Sequence, residues 1–164
     1  MPKVLISDSM NEVVQKIFEK NSIDFDVKTN LSEEEMIEII DNYDALVVRS
    51  ATKVTKNIIN AGKNLKIIGR AGAGVDNIDL MSANEKDIIV MNTPGGNTNA
   101  TAEHTLALIL SLIRKIPYSN YTTHKGKWEK KNIKGIELSN KTLGIIGLGN
   151  VSIRLIELLK GFNM

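Results

Sequence analysis

The 164 residues include 42% hydrophobic and 24% charged side chains, enough to bury one good core and part of a second. A net charge of +2 from interspersed acids and bases leaves no basic face for neutralising nucleic-acid phosphates, so any bound anion must be held locally. The absence of cysteine excludes disulfides and thiolate metal sites. No stretch approaches the roughly 18–20 apolar residues of a membrane span. The N-terminus has one lysine and a short apolar run, too short for a signal peptide, so a cytoplasmic protein is expected.

Up to residue 92, short apolar runs alternate with amphipathic segments. The runs at residues 4–7, 25–27, 45–48, 65–68 and 88–91 are bounded by turn formers, as buried parallel strands are. Between them lie helix starts: Ser9 with Glu12 and Ser32 with Glu35 have capping-box spacing, and Thr55 precedes Ile58 and Ile59. Strand and helix in strict alternation predict an α/β fold, a flavodoxin-like domain with a five-stranded parallel sheet. Residues 92–97, Asn-Thr-Pro-Gly-Gly-Asn, are clustered turn formers and predict a hinge.

From residue 98 to 115 the pattern is helical and apolar nearly all round, which predicts burial on more than one face and a subunit contact. Pro117 is expected to end that helix, and a polar arm follows to Lys134. Residues 141–147 then read as a strand running into a helix over 150–161.

Three constellations point to chemistry. Gly144-Ile145-Ile146-Gly147-Leu148-Gly149-Asn150-Val151-Ser152 has the spacing of the dinucleotide fingerprint: glycines allow a tight turn and close approach of a pyrophosphate, and the following helix supplies free N–H groups. Serine stands at the third glycine position. Residues 69–79 place Gly69, Gly72 and Gly74 after the fourth predicted strand, where bare N–H groups could receive a carboxylate; the bland alternative is a glycine loop required by packing. Arg49 follows the third predicted strand on the same edge, and a guanidinium there suits a carboxylate or phosphate, although solvated arginines also end strands. A phosphoreceiver would instead want an aspartate at that strand end, where this chain has Val48-Arg49-Ser50. His104 falls within the apolar helix and His124 within the polar arm, so both read as structural, and Glu103 as a helix-start or hinge residue.

The segments 3–9, 47–55, 69–79, 90–97, 102–103, 126–128 and 143–149 together resemble the D-2-hydroxyacid dehydrogenase family, over nearly the whole chain. The resemblance implies a substrate-binding domain over 1–92, a hinge at 93–97 and, over 98–164, the beginning of a Rossmann NAD-binding domain carrying a dimerisation helix and arm. It implies that Arg49, Ser50, Gly72, Ala73, Gly74 and Asn97 bind a small acidic substrate, and that Ala73, Gly147, Gly149, Asn150 and Val151 bind NAD. It further implies a homo-oligomer joined through residues 97–134. The first expected substrate is 3-phospho-D-glycerate of serine biosynthesis, with glyoxylate or hydroxypyruvate reduction, or a non-catalytic interaction module, as alternatives. The family's catalytic arginine, glutamate and histidine, and the acidic residue that takes the ribose hydroxyl, are expected beyond residue 164, so the chain alone is expected to be inactive. Ser152 and Asn163 depart from the family's glycines.

Overall fold

Five of the short apolar runs are paired strands: β1 (Lys3–Ile6), β2 (Asp24–Val27), β3 (Ala45–Val48), β4 (Ile67–Arg70) and β5 (Ile89–Met91). They belong to a computed structural model that describes residues 2–164. All ladders are parallel and the order is β2-β1-β3-β4-β5, the flavodoxin-like arrangement. The chain divides into two compact units, Met1–Gly96 and Asn97–Met164.

In the first unit the crossovers are α1 (Val13–Lys20), α2 (Glu33–Ile39), α3 (Lys56–Ala61) and α4 (Leu80–Glu85). Right-handed crossovers place α1 on one face, because β2 lies to one side of β1, and α2 to α4 on the other. The core follows that division. Met36, Ile40, Ile58, Ile59 and Ala83 pack onto Leu5, Leu46, Val48 and Ile68 of the sheet, whereas α1 buries no residue completely. Each fully buried Leu or Ile contributes about 1.5–3 kcal/mol.

Helix starts follow the side chains available. Ser32 and Glu35 form the expected capping box, and Thr55 accepts the Ile58 N–H. The expected Ser9–Glu12 box does not form; the helix begins later, and Asn11 Oδ1 takes the Val13 N–H at 3.0 Å. The fourth strand also lies two residues beyond its expected place. Leu65 is buried ahead of the ladder, and Gly69 and Arg70, expected in a loop, pair with Val47 and Val48.

The second unit holds α5 (Thr98–Ile113), α6 (Ile116–His124) and α7 (Asn150–Leu159). Ala102, Leu138, Leu155 and Leu159 form its core, with Leu106 and Ile109 against them. Two expectations are corrected here. Pro117 does not simply stop a helix: Lys115 turns the chain through a left-handed φ of 52°, and Pro117 sits in the first turn of α6, where its missing N–H costs nothing. Residues 141–147 are not a strand. Among the described residues no neighbour offers them a ladder, and Ile146 is fully exposed. On α5 only Ala102 is fully buried, and Leu108 and Leu112 are exposed in the single chain.

Candidate functional site

Parallel sheets expose their ligand sites at the carboxyl ends of the strands, and in the first unit those ends hold Ser7 and Asp8 after β1, Arg49 to Thr52 after β3, and Ala71 to Asn77 after β4. Adjacent register brings two arginines together: Val48, which precedes Arg49, pairs with Arg70. Arg49 is exposed and donates from Nη1 to the Ser9 carbonyl at 3.2 Å. Arg70 is nearly buried; its Nε donates to the Arg49 carbonyl at 3.2 Å, and its Nη1 lies 3.2 Å from Asp76 Oδ1.

The backbone of residues 49–52 is held from beneath. Asp8, 5% exposed, accepts the Arg49 N–H, the Thr52 N–H at 3.1 Å and the Thr52 hydroxyl at 2.6 Å. Ser7 Oγ lies 3.1 Å from Thr52 Oγ1. Asn77 Nδ2 donates to the carbonyls of Arg49 and Thr52 at 2.8 and 2.6 Å.

The glycines of the loop do different work. The Gly72 N–H is already spent on the Arg70 carbonyl at 2.8 Å, which removes it from the expected set of bare donors. Ala73 and Gly74 are exposed, and among the described residues no backbone carbonyl takes their N–H groups. Gly74 lets the Arg70 guanidinium approach closely: a Cβ there would lie 2.8 Å from Arg70 Nη1 and 3.0 Å from Asp76 Oδ1, so both side-chain ends would have to move. Asn92 Nδ2 and the Thr93 N–H fasten the loop through the carbonyls of Ala73 and Gly72, at 2.7 and 2.9 Å.

In the second unit Gly147 has φ +86°, and Gly144, Gly147 and Gly149 have open space where a Cβ would be. Gly149 is the N-cap of α7, and no side chain caps that helix, so its first-turn N–H groups are free for an anion. Ser152 turns its hydroxyl back onto the Gly147 carbonyl at 2.9 Å. Asn150 is exposed and Val151 half-buried, while Asn97 precedes α5 without capping it by its side chain. The expected site residues thus fall into two sets, Arg49, Ser50, Gly72, Ala73 and Gly74 on the strand ends of the first unit, and Asn97, Gly147, Gly149, Asn150 and Val151 in the second.

Shifted acid–base groups lie away from both. The Tyr43 hydroxyl is pushed up to about 12, first by burial and then by its bond to Asp26. That bond, followed by the one from Lys3, holds Asp26 below the usual carboxylate range. Asp44 is lowered by Lys66 and the Lys3 backbone, and Glu33 by Thr55 and Asn57. These are structural pairs. Among the described residues no cluster of His, Asp and Glu suits a metal, and no helix is long and apolar enough to cross a membrane.

A family model described as the catalytic domain of D-isomer specific 2-hydroxyacid dehydrogenases matches residues 4–153. The chain belongs to that family. It is 49% identical over 162 residues, 99% of its length, to a D-3-phosphoglycerate dehydrogenase of Archaeoglobus fulgidus, covering 31% of that protein. It is 50% identical over its whole length to one from Synechocystis, covering 29% of it. The chain therefore spans less than a third of these curated relatives. Among solved structures, NAD+-bound 3-phosphoglycerate dehydrogenase of Entamoeba histolytica superposes with a TM-score of 0.79 at 36% identity, over 99% of this chain and 52% of that one.

In this D-2-hydroxyacid dehydrogenase chain three residues that the sequence reading passed over bond to the strand-end segments: Asp8, Arg70 and Asn77. Each left a signal. Asp8 is a charge separated by one residue from a strand wholly apolar in its last three residues, Arg70 ends a strand in register with Val48, and Asn77 lies within the glycine-rich segment.

Proposed function

We propose that the chain supplies the substrate-binding part, and the start of the NAD-binding part, of a D-3-phosphoglycerate dehydrogenase that oxidises 3-phospho-D-glycerate to 3-phosphooxypyruvate. The observation that carries this reading is the strand-end arrangement of the first unit: the exposed Arg49 guanidinium after β3 and, at the end of the neighbouring β4, Ala73 and Gly74, whose N–H groups no backbone carbonyl takes among the described residues. A guanidinium binds carboxylate or phosphate oxygens with paired donors, and free amides add directional bonds. The relatives at 49% and 50% identity, which carry that enzyme's name, favour the phosphorylated substrate over other 2-hydroxy acids.

The turn of Gly147 and Gly149, with Asn150 and Val151, fits a dinucleotide pyrophosphate. Its left-handed glycine and open Cβ positions allow backbone approach, and the uncapped helix offers N–H donors. NAD held by this turn would supply the hydride acceptor that oxidation of a 2-hydroxy acid needs. This chain's own residues bind and orient: Arg49 and the Ala73–Gly74 amides fix the acid, and the Gly147–Val151 turn fixes the nucleotide. The hydroxyl proton needs a base. We assign that role to neither His104 nor His124, both exposed in the second unit, and expect the 164 residues to be inactive alone.

We also assign residues 97–134 to contact between copies of the chain, because Leu108, Leu112, Tyr121 and Trp128 are exposed there. Calorimetric titration tests the substrate assignment, with saturable binding of 3-phospho-D-glycerate expected and markedly weaker binding of D-glycerate. Equal affinity for the two would remove the phosphate assignment. NADH oxidation with 3-phosphooxypyruvate above a buffer blank would contradict the inactivity of the isolated chain.

A further inference from the structure

We propose that Asp8 and Asn77 are positioning residues that set the Arg49 guanidinium for its anion by clamping the backbone of residues 49–52 from both sides; this rests on the function proposed above. Asp8 faces the N–H side of that segment and Asn77 its C=O side. Every donor that Asp8 receives comes from Arg49 or Thr52, and no lysine or arginine side chain pairs with it among the described residues. Burying a carboxylate without a cation is costly compared with an apolar residue of the same size. The arrangement is therefore poorly explained by stability. It is well explained by geometry, because an ionised carboxylate is acceptor-only and has two oxygens, both used here, to receive converging N–H and O–H donors.

Asn77 shows the same bias. Both hydrogens of its amide go to the Arg49 and Thr52 carbonyls, while its own buried Oδ1 has no partner. An unsatisfied buried acceptor is unfavourable, yet the opposite amide orientation would set oxygen against two carbonyls. Arg70 Nε adds a second donor to the Arg49 carbonyl. Both peptide groups flanking the Arg49 Cα are thus fixed, its N–H by Asp8 and its C=O by Asn77 and Arg70. The side chain is held by a single exposed bond, from Nη1 to the Ser9 carbonyl, and keeps its other donors for a ligand.

The test compares the wild-type chain with Asp8→Asn, Arg49→Ala and, as a control for plain destabilisation, Ile40→Val in the core. Amide hydrogen exchange of wild-type Arg49 and Thr52 needs no substitution: slow exchange is expected despite the exposed loop, and fast exchange of both would overturn the clamp even if no variant folds. In Asp8→Asn these amides should exchange about tenfold faster or more, and 3-phospho-D-glycerate should bind about tenfold more weakly. The Arg49 Nε–H resonance should also move, whereas Ile40→Val should change neither affinity nor that resonance. If Asp8→Asn lowers affinity no more than Ile40→Val, the positioning role is refuted. If the wild type does not bind the ligand, or Arg49→Ala binds it equally well, the functional reading fails and takes the positioning role with it.

Discussion

Gly74→Ala separates two reasons for a glycine in a binding loop. The backbone at Gly74 is not in the left-handed region, so alanine is conformationally acceptable and restricting the unfolded chain should stabilise by about 0.4–1 kcal/mol. Against this, the new Cβ would meet Arg70 Nη1 at 2.8 Å and force the guanidinium aside. That movement loosens the Arg70 Nε bond to the Arg49 carbonyl, worth about 1 kcal/mol. It also breaks the pair with Asp76, which is 84% exposed and so worth about 0.5 kcal/mol or less. The opposing contributions nearly cancel, and urea unfolding should stay within about 1 kcal/mol of wild type. Affinity for 3-phospho-D-glycerate should nevertheless fall about 5–10-fold, because a support of Arg49 is lost while no folding advantage bears on the ligand. Calorimetric titration beside urea unfolding reads both quantities. Unchanged affinity at unchanged stability would refute the link from Gly74 through Arg70 to the site.

Gly147→Ala differs in kind: φ +86° costs an L residue about 1–2 kcal/mol, so the free turn should relax out of this geometry and binding NAD should have to restore it, which lowers affinity about 5–30-fold in an NAD titration; equal affinity would remove Gly147 from the cofactor site. Tyr43→Phe deletes the donor 2.7 Å from Asp26 and should destabilise by about 1–2 kcal/mol near neutrality, a value discounted because Asp26 is 35% exposed. Since Asp26 is depressed when folded, its contribution is present above its unfolded pKa of about 3.9 and lost as pH falls through the folded value, so the gap between wild type and variant should close in acid. Tyr43 is raised, so its contribution is complete below about pH 10 and is lost as pH rises toward 12; across that range the wild type should lose more stability to denaturant than the variant does. Sedimentation of the isolated chain should show concentration-dependent association that Leu112→Glu reduces, Leu112 being 77% exposed; a monomer at all concentrations would contradict the proposed contact.

How much of this was legible in the sequence depended on whether a feature is local. The alternation of apolar runs and caps such as Ser32–Glu35 are short-range, and they specify the five-stranded parallel sheet correctly. Pairing is not local. Leu65 looks like a strand residue because burial and ladder membership leave the same apolar mark, while Gly69 looks like loop although its backbone pairs with Val47. Residues 141–147 have a strand's composition, but β structure is a property of neighbours, and among the described residues none is present. The site divides likewise. Arg49 and the glycines announce themselves by residue type, whereas the roles of Asp8 and Asn77 arise from bonds spanning 25 to 44 residues that no spacing rule connects.

The most direct test of an anion site on the first unit's strand ends is a residue-resolved NMR titration with 3-phospho-D-glycerate. Saturable shifts confined to residues 49–52 and 72–74 in the wild type, and abolished in Arg49→Ala, are expected. Shifts that persist in Arg49→Ala, or that fall elsewhere on the chain, would contradict the assignment.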